Sequence, residues 1–563
     1  MAARGFGGRW MALLWLACAG CTGSIQEAGV VPPDGTPLPG GAAQLPGASA
    51  AGGSAPTVTA GAGVLGLGAN GITRLSREEY RATLRSLLGV DMASDVELLP
   101  ADSFTPFDND YTLQVPSKAL VDGLKAVAER AVDRVLADPA LRSNLVGCAP
   151  TAAADTNCLS SFIRRFGRRA LRRPLSAAEI QAYQGFQSFA VANDDFYVAV
   201  SMVTRAMLQD LEFVYRVEIG QPIPSRPGVF RLDDWQTATR LAYFLWGENP
   251  DDALLDQADQ GLLRSDRDVR LAAERLLADE RGMRRIQRFH ALWLGYDTLP
   301  HAAELNAALR QETDALVRRV IFQDQHPWLE LFSSPETWAN EALAKNYALP
   351  GVVGTNFRWV KYPTADRRGI LSHGSLLSNG FTGTDTSPTR RGKFIRERLA
   401  CTPIPPPPPD VKTDEPPKAT AGKNCKIDRY AAHRSEARCA GCHALMDGVG
   451  FGLENYDRQG AYRTTDAGKP ECLIEGKGEL SGVGEFKGPA QLGALLSEGG
   501  ELTSCLIQRL YQLGVGRSAS LGEDAPMLDA LALSGGGSGL QLRKLVLDWV
   551  SSEGFRNRIV DER

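Results

Sequence analysis

A mainly α, multidomain fold is predicted by three observations. Apolar residues recur at helical spacing along most of the chain, as in Ala238, Leu241, Ala242 and Leu245. Two capping boxes, Ser76-Arg77-Glu78-Glu79 and Ser176-Ala177-Ala178-Glu179, open such runs. At 563 residues the chain is too long for one hydrophobic core, so helical bundles in several domains are expected. Lys and Arg number 62 against 66 Asp and Glu. There is no basic excess for nucleic acid, and none is expected as a partner.

Arg4 and Arg9 flank the short apolar run Trp10 to Ala17, which ends in Cys18-Ala19-Gly20-Cys21. Such a start describes a secretory signal over residues 1–21, too short to span a bilayer. Small residues before Cys21 make it the expected lipidation site, although Cys18 stands where Leu is usual. Ordinary signal cleavage nearby is the alternative. The chain is therefore expected to be exported to the periplasm or cell surface, as an outer-membrane lipoprotein held on the membrane by its N-terminal anchor. Residues 22–70, rich in Gly, Ala, Pro and Ser, read as a flexible tether.

The first helical domain is expected over 71–140. Its first helix carries Tyr80, Leu84, Leu87 and Leu88 and stops near Gly89. A second helix runs from Leu120 to Leu136. Asp108 and Asp110 lack a full calcium loop and read as turn residues. A second helical domain is expected over 141–225, where Cys148 and Cys158 bracket a small loop. Its Arg164, Arg165, Arg168, Arg169, Arg172 and Arg173 read as a salt-bridged helical face. Residues 226–362 form a third helical domain, helical from Phe230, with Trp235, Trp246, Trp293, Trp328 and Trp338 as core aromatics. His290, His301 and His326 read as structural.

Residues 363–480 change character. Pro405 to Pro409 reads as a polyproline spacer. Beyond it stands Cys439-Ala440-Gly441-Cys442-His443, a C-x-x-C-H pentapeptide. With 10 Cys and 6 His, about 0.002 chance occurrences are expected. The pattern suits covalent haem c. A helical turn brings both thiols to one porphyrin edge, and the adjacent imidazole becomes the proximal iron ligand. The alternatives are a disulfide, or a zinc site from Cys425, His433, Cys439 and Cys442. An oxidising exterior argues against zinc thiolates. After a haem domain over 363–480, residues 481–563 form a C-terminal helical domain.

Six further cysteines remain: Cys148, Cys158, Cys401, Cys425, Cys472 and Cys505. In an exported chain they suggest three disulfides. Fifteen pairings are possible. Proximity along the chain favours Cys148–Cys158, Cys401–Cys425 and Cys472–Cys505.

Around the pentapeptide the chain reads His433-Arg434, Met446-Asp447-Gly448, Gly450-Phe451-Gly452-Leu453-Glu454-Asn455-Tyr456-Asp457, Gly460 and Arg463. This resembles the planctomycete-type cytochrome c domain, which is embedded among planctomycete-specific helical domains of uncharacterised function. Leu75 to Gly89 with Phe107-Asp108-Asn109 resembles the first of these. Arg169 to Leu175 resembles the second, and Arg240 to Trp246 with Pro250-Asp251-Asp252 the third. Cys505 to Arg517 with Phe555-Arg556 resembles the last. Gly448 departs from the usual Pro. The resemblance implies an architecture and a haem, and no established reaction.

A second axial ligand separates an electron carrier from a catalyst. Met446 lies one turn along the same helix as His443 and reads as packing. His433, His373 and Met527 are the distal candidates. The leading functional reading is a lipid-anchored monohaem cytochrome that passes electrons to a redox partner protein outside the cytoplasm. The alternatives are a haem-dependent or cytochrome-coupled oxidoreductase acting on an extracellular substrate such as a polymer, and a non-catalytic surface-assembly protein.

Overall fold

The computed structural model describes residues 71–379, 381–382, 385–407, 424–535 and 537–559. The signal, Cys21, the tether and the end of the proline run lie outside the described residues. Within them the protein is mainly helical, with short two- and three-stranded antiparallel sheets. No helix among the described residues is long and apolar enough to cross a membrane.

Both capping boxes form. Ser76 caps helix Arg77–Leu88, which ends at Gly89 in the left-handed conformation, and Ser176 caps Ala177–Gln184. A cluster of buried apolar residues from Leu75 to Val214 packs helices Lys118–Ala137, Thr156–Ala170 and Phe196–Leu208 together. A second, larger cluster runs through Ala238, Trp293, Trp328, Val449, Leu506 and Trp549. One continuous core therefore joins the tryptophan-rich helices, the segment bearing the pentapeptide and the C-terminal helices.

Polar groups tie the two clusters. Tyr243, on helix Asp234–Leu245, packs with the first cluster. Its hydroxyl lies 2.9 Å from that of Thr83. Glu79, besides capping its helix, forms a buried ion pair with Arg285 at 3.1 Å. Asp108 stands in a turn, as expected, and its side chain has a further role. It is buried and accepts from Arg288 at 2.6 Å. Asp110 does act as a turn residue, capping Tyr111–Leu113. Of the arginine cluster, Arg168, Arg169 and Arg173 form ion pairs. Arg168 meets Asp256 and Asp259, and Arg173 meets Glu179 and Glu212. Arg165 donates to the backbone carbonyls of Asn144 and Leu145, and Arg172, which is buried, to those of Phe213 and Tyr215.

Two local expectations are corrected. The helix expected from Phe230 begins at Asp234, because Val229–Arg231 is a strand paired with Asn557–Ile559. That partner lies at the far end of the chain, beyond the reach of local periodicity. Of the disulfides, Cys148–Cys158 is as expected, but Cys401 pairs with Cys505 and Cys425 with Cys472. Proximity along the chain fails here because Cys401 ends a helical run packed against helix Glu501–Val515. Cys425 instead lies beside strand Lys469–Leu473.

Candidate functional site

The pentapeptide lies in the first turns of helix Ala437–Phe451. Cys439 and Cys442 are free and half-buried, unlike the six other described cysteines, which are disulfide-bonded. Spaced i, i+3, the two thiols rise on one flank of the helix. A Cβ at Gly441 would meet nothing within 4 Å, so the side of the helix turned away from Cys439 is open.

Three turns further along the thiol-bearing face, at Gly450, the helix is closed over by helix Pro388–Phe394. The two helices cross at glycines. A Cβ on Gly450 would stand 1.8 Å from the carbonyl oxygen of Pro388, and one on Gly392 would stand 1.8 Å from that of Met446. Only glycine permits this approach. The crossing buries Met446, which has the packing role expected of it. It also delivers Thr389 to the face of His443.

There a compact polar cluster forms. His443 Nδ1 lies 3.1 Å and 3.2 Å from the two carboxylate oxygens of Asp447, one turn along the same helix. Thr389 donates its hydroxyl to Asp447 Oδ1 at 2.6 Å. His433, on the short helix Ala431–Ser435, brings its Nδ1 to 3.4 Å from Asp447 Oδ2. Its ring centroid is 3.8 Å from that of His443. The two rings are in contact, which leaves no gap for a porphyrin plane between them. Burial alone would push the Asp447 carboxyl up, but hydrogen bonds from His433, His443 and Thr389 outweigh it and hold the group below its ordinary value.

The other distal candidates lie outside this cluster. His373 is fully buried, with Nδ1 3.0 Å from the Thr313 hydroxyl. Its Nε2 faces Glu312 at 3.7 Å without a hydrogen-bond partner. Burial, with Arg367 nearby, pushes the His373 ring down to about 3, and burial pushes Glu312 up to about 8. Both are therefore uncharged at neutral pH. Met527 packs in the large core. The lone histidines have structural partners, as expected. His290 Nε2 accepts from Trp328, His301 meets Ser378 and His326 meets Glu330.

A buried ionic network braces the site from behind. Glu454 accepts from Arg391 at 3.1 Å, Lys426 at 2.7 Å and Arg463 at 2.8 Å. Lys426 also reaches Asp385 and Thr386. This fastens the segment before helix Pro388–Phe394 to the segment after Ala437–Phe451. Sequence reasoning assigned no role to Asp447, Thr389 or Glu454. For Asp447 a signal existed, since an acid four residues beyond a histidine on a helix shares its face.

Four segments match known family models, each described as a protein of unknown function. Residues 73–137 match PSD3 (DUF1587), and residues 158–218 match PSD5 (DUF1595). Residues 232–349 match PSD4 (DUF1592), and residues 367–466, which contain the pentapeptide, match PSCyt3 (DUF1588). These are planctomycete-specific domains. No curated protein and no solved structure matches the chain.

Proposed function

We propose that this chain is an exported, lipid-anchored c-type cytochrome carrying one haem, which transfers electrons to a redox partner protein outside the cytoplasm. The observation that carries this reading is the free, half-buried Cys439 and Cys442 pair on one helical face, next to a histidine whose Nδ1 is already taken. The donor set fits a covalent haem. Two unpaired thiols one turn apart can form thioethers, and a proton held on Nδ1 leaves Nε2 to ligate iron. When bound, the haem supplies a one-electron Fe(III)/Fe(II) couple.

The residues around the site divide the remaining work. Cys439 and Cys442 anchor, His443 ligates, and Asp447 with Thr389 orients the imidazole. The Glu454 network and the glycine crossing hold the two helices in register. The name of the matching model, PSCyt3, points the same way. Three disulfides among the described cysteines suit an oxidising compartment and so support export. Cys21 is the proposed lipid attachment point.

Cys439→Ser and Cys442→Ser test the thioether assignment. Each variant, exported in a host with haem-maturation machinery, is expected to lose one covalent attachment, and the double variant to lose all haem on acid–acetone extraction. Haem retained by the double variant would remove the assignment.

A further inference from the structure

The reading above leaves open what the protein does to the iron through its ligand. Resting on that reading, we propose that Asp447 is a positioning residue which, held in place by Thr389, keeps the Nδ1 proton of His443 in a charge-assisted hydrogen bond and so gives the haem a low reduction potential.

The geometry carries this. The Asp447 side chain is fully buried, and both its oxygens lie within 3.2 Å of His443 Nδ1. An ionised carboxylate only accepts hydrogen bonds. His443 Nδ1 and the Thr389 hydroxyl must therefore both be donors, the latter at 2.6 Å. The glycine crossing at Gly392 and Gly450 brings backbone of helix Pro388–Phe394 over this turn, so the carboxylate is shut in with its donors. A hydrogen bond to a charged acceptor is roughly twice as strong as one to a neutral acceptor. It draws the Nδ1 proton towards the carboxylate and makes Nε2 more basic. Carboxylates play this part behind metal-ligating histidines generally. A more basic axial nitrogen favours ferric over ferrous iron, which lowers the potential. Thr389 opposes the effect in part, because its donated hydrogen bond occupies one oxygen and weakens the carboxylate as an acceptor. His433 Nδ1, 3.4 Å from the other oxygen, is a third neighbour of the same carboxylate.

Two variants therefore have opposite expected signs. Asp447→Asn keeps an acceptor oxygen and the ring orientation but removes the charge. Thr389→Val removes the hydroxyl and leaves the carboxylate a stronger acceptor. The experiment is a spectroelectrochemical titration of the full-length haem-loaded protein and both variants. Asp447→Asn is expected to shift the one-electron equilibrium at least tenfold towards ferrous iron, about 59 mV upward, and Thr389→Val to shift it downward. A potential unchanged in Asp447→Asn, or both variants shifted in one direction, would overturn the proposal while leaving the haem reading intact. If Asp447→Asn fails to fold or load haem, Thr389→Val decides alone: a downward shift supports the proposal, and no shift or an upward one overturns it. A wild-type protein without covalent haem would instead remove the reading on which the inference rests.

Discussion

At the scale of single residues, the site depends on who shares Asp447. His433 and His443 touch each other and the same carboxylate. This placement puts His433 on the flank of His443. His433→Ala is therefore expected to keep both haem attachment and the coordination state of the reduced protein, read from its visible spectrum with and without CO. A wild-type low-spin spectrum that became CO-binding in the variant would show His433 to be an axial ligand. Glu454 is the other decisive residue. Burial would push its carboxyl up, yet Arg391, Lys426 and Arg463 hold it below the ordinary glutamate range. Its folded-state pKa thus lies below the unfolded value of about 4.3. The stability it contributes is complete above that pH and is lost as pH falls towards the folded value. Glu454→Gln leaves two buried cations poorly compensated and is expected to cost about 3–5 kcal/mol at pH 7. The gap from wild type, measured by urea unfolding, should narrow on acidification. A gap independent of pH would contradict this account of the network.

At the scale of elements, the organising feature is the crossing of helices Pro388–Phe394 and Ala437–Phe451. Both contacts at the crossing are with backbone, which cannot swing aside as a side chain can. Gly450→Ala must part the helices and is expected to cost about 3 kcal/mol, with the unfolding midpoint falling accordingly. Gly441→Ala, on the open flank of the same helix, is expected to be neutral or slightly stabilising, since alanine is the better helix former. Equal gains from the two substitutions would show that helix propensity, and not the crossing, governs this region. The crossing also explains what the sequence hid. Asp447 was visible as a residue four positions from His443, but Thr389 reaches them only because two glycines let distant helices meet.

At the scale of the whole molecule, the local features were legible and the long-range ones were not. Capping boxes, most helices, the Cys148–Cys158 loop and the C-x-x-C-H pentapeptide are written in adjacent residues, and periodicity and spacing reveal them. The Cys401–Cys505 and Cys425–Cys472 bridges, the strand pair joining Val229–Arg231 to Asn557–Ile559, and the Glu454 network each bring together residues far apart in sequence. No local rule encodes them. The continuous core has the same origin, because apolar faces of helices show that they are buried without showing against what. The pentapeptide segment shares that core with the C-terminal helices, so a haem held there would be coupled to the fold around it. The measurement that tests the central claim most directly is a reduced pyridine haemochrome spectrum of the full-length wild-type protein after acid–acetone extraction, following export in a host able to mature c-type cytochromes. The account predicts one covalently retained haem per chain. Exported, disulfide-bonded protein with no haem band would contradict it.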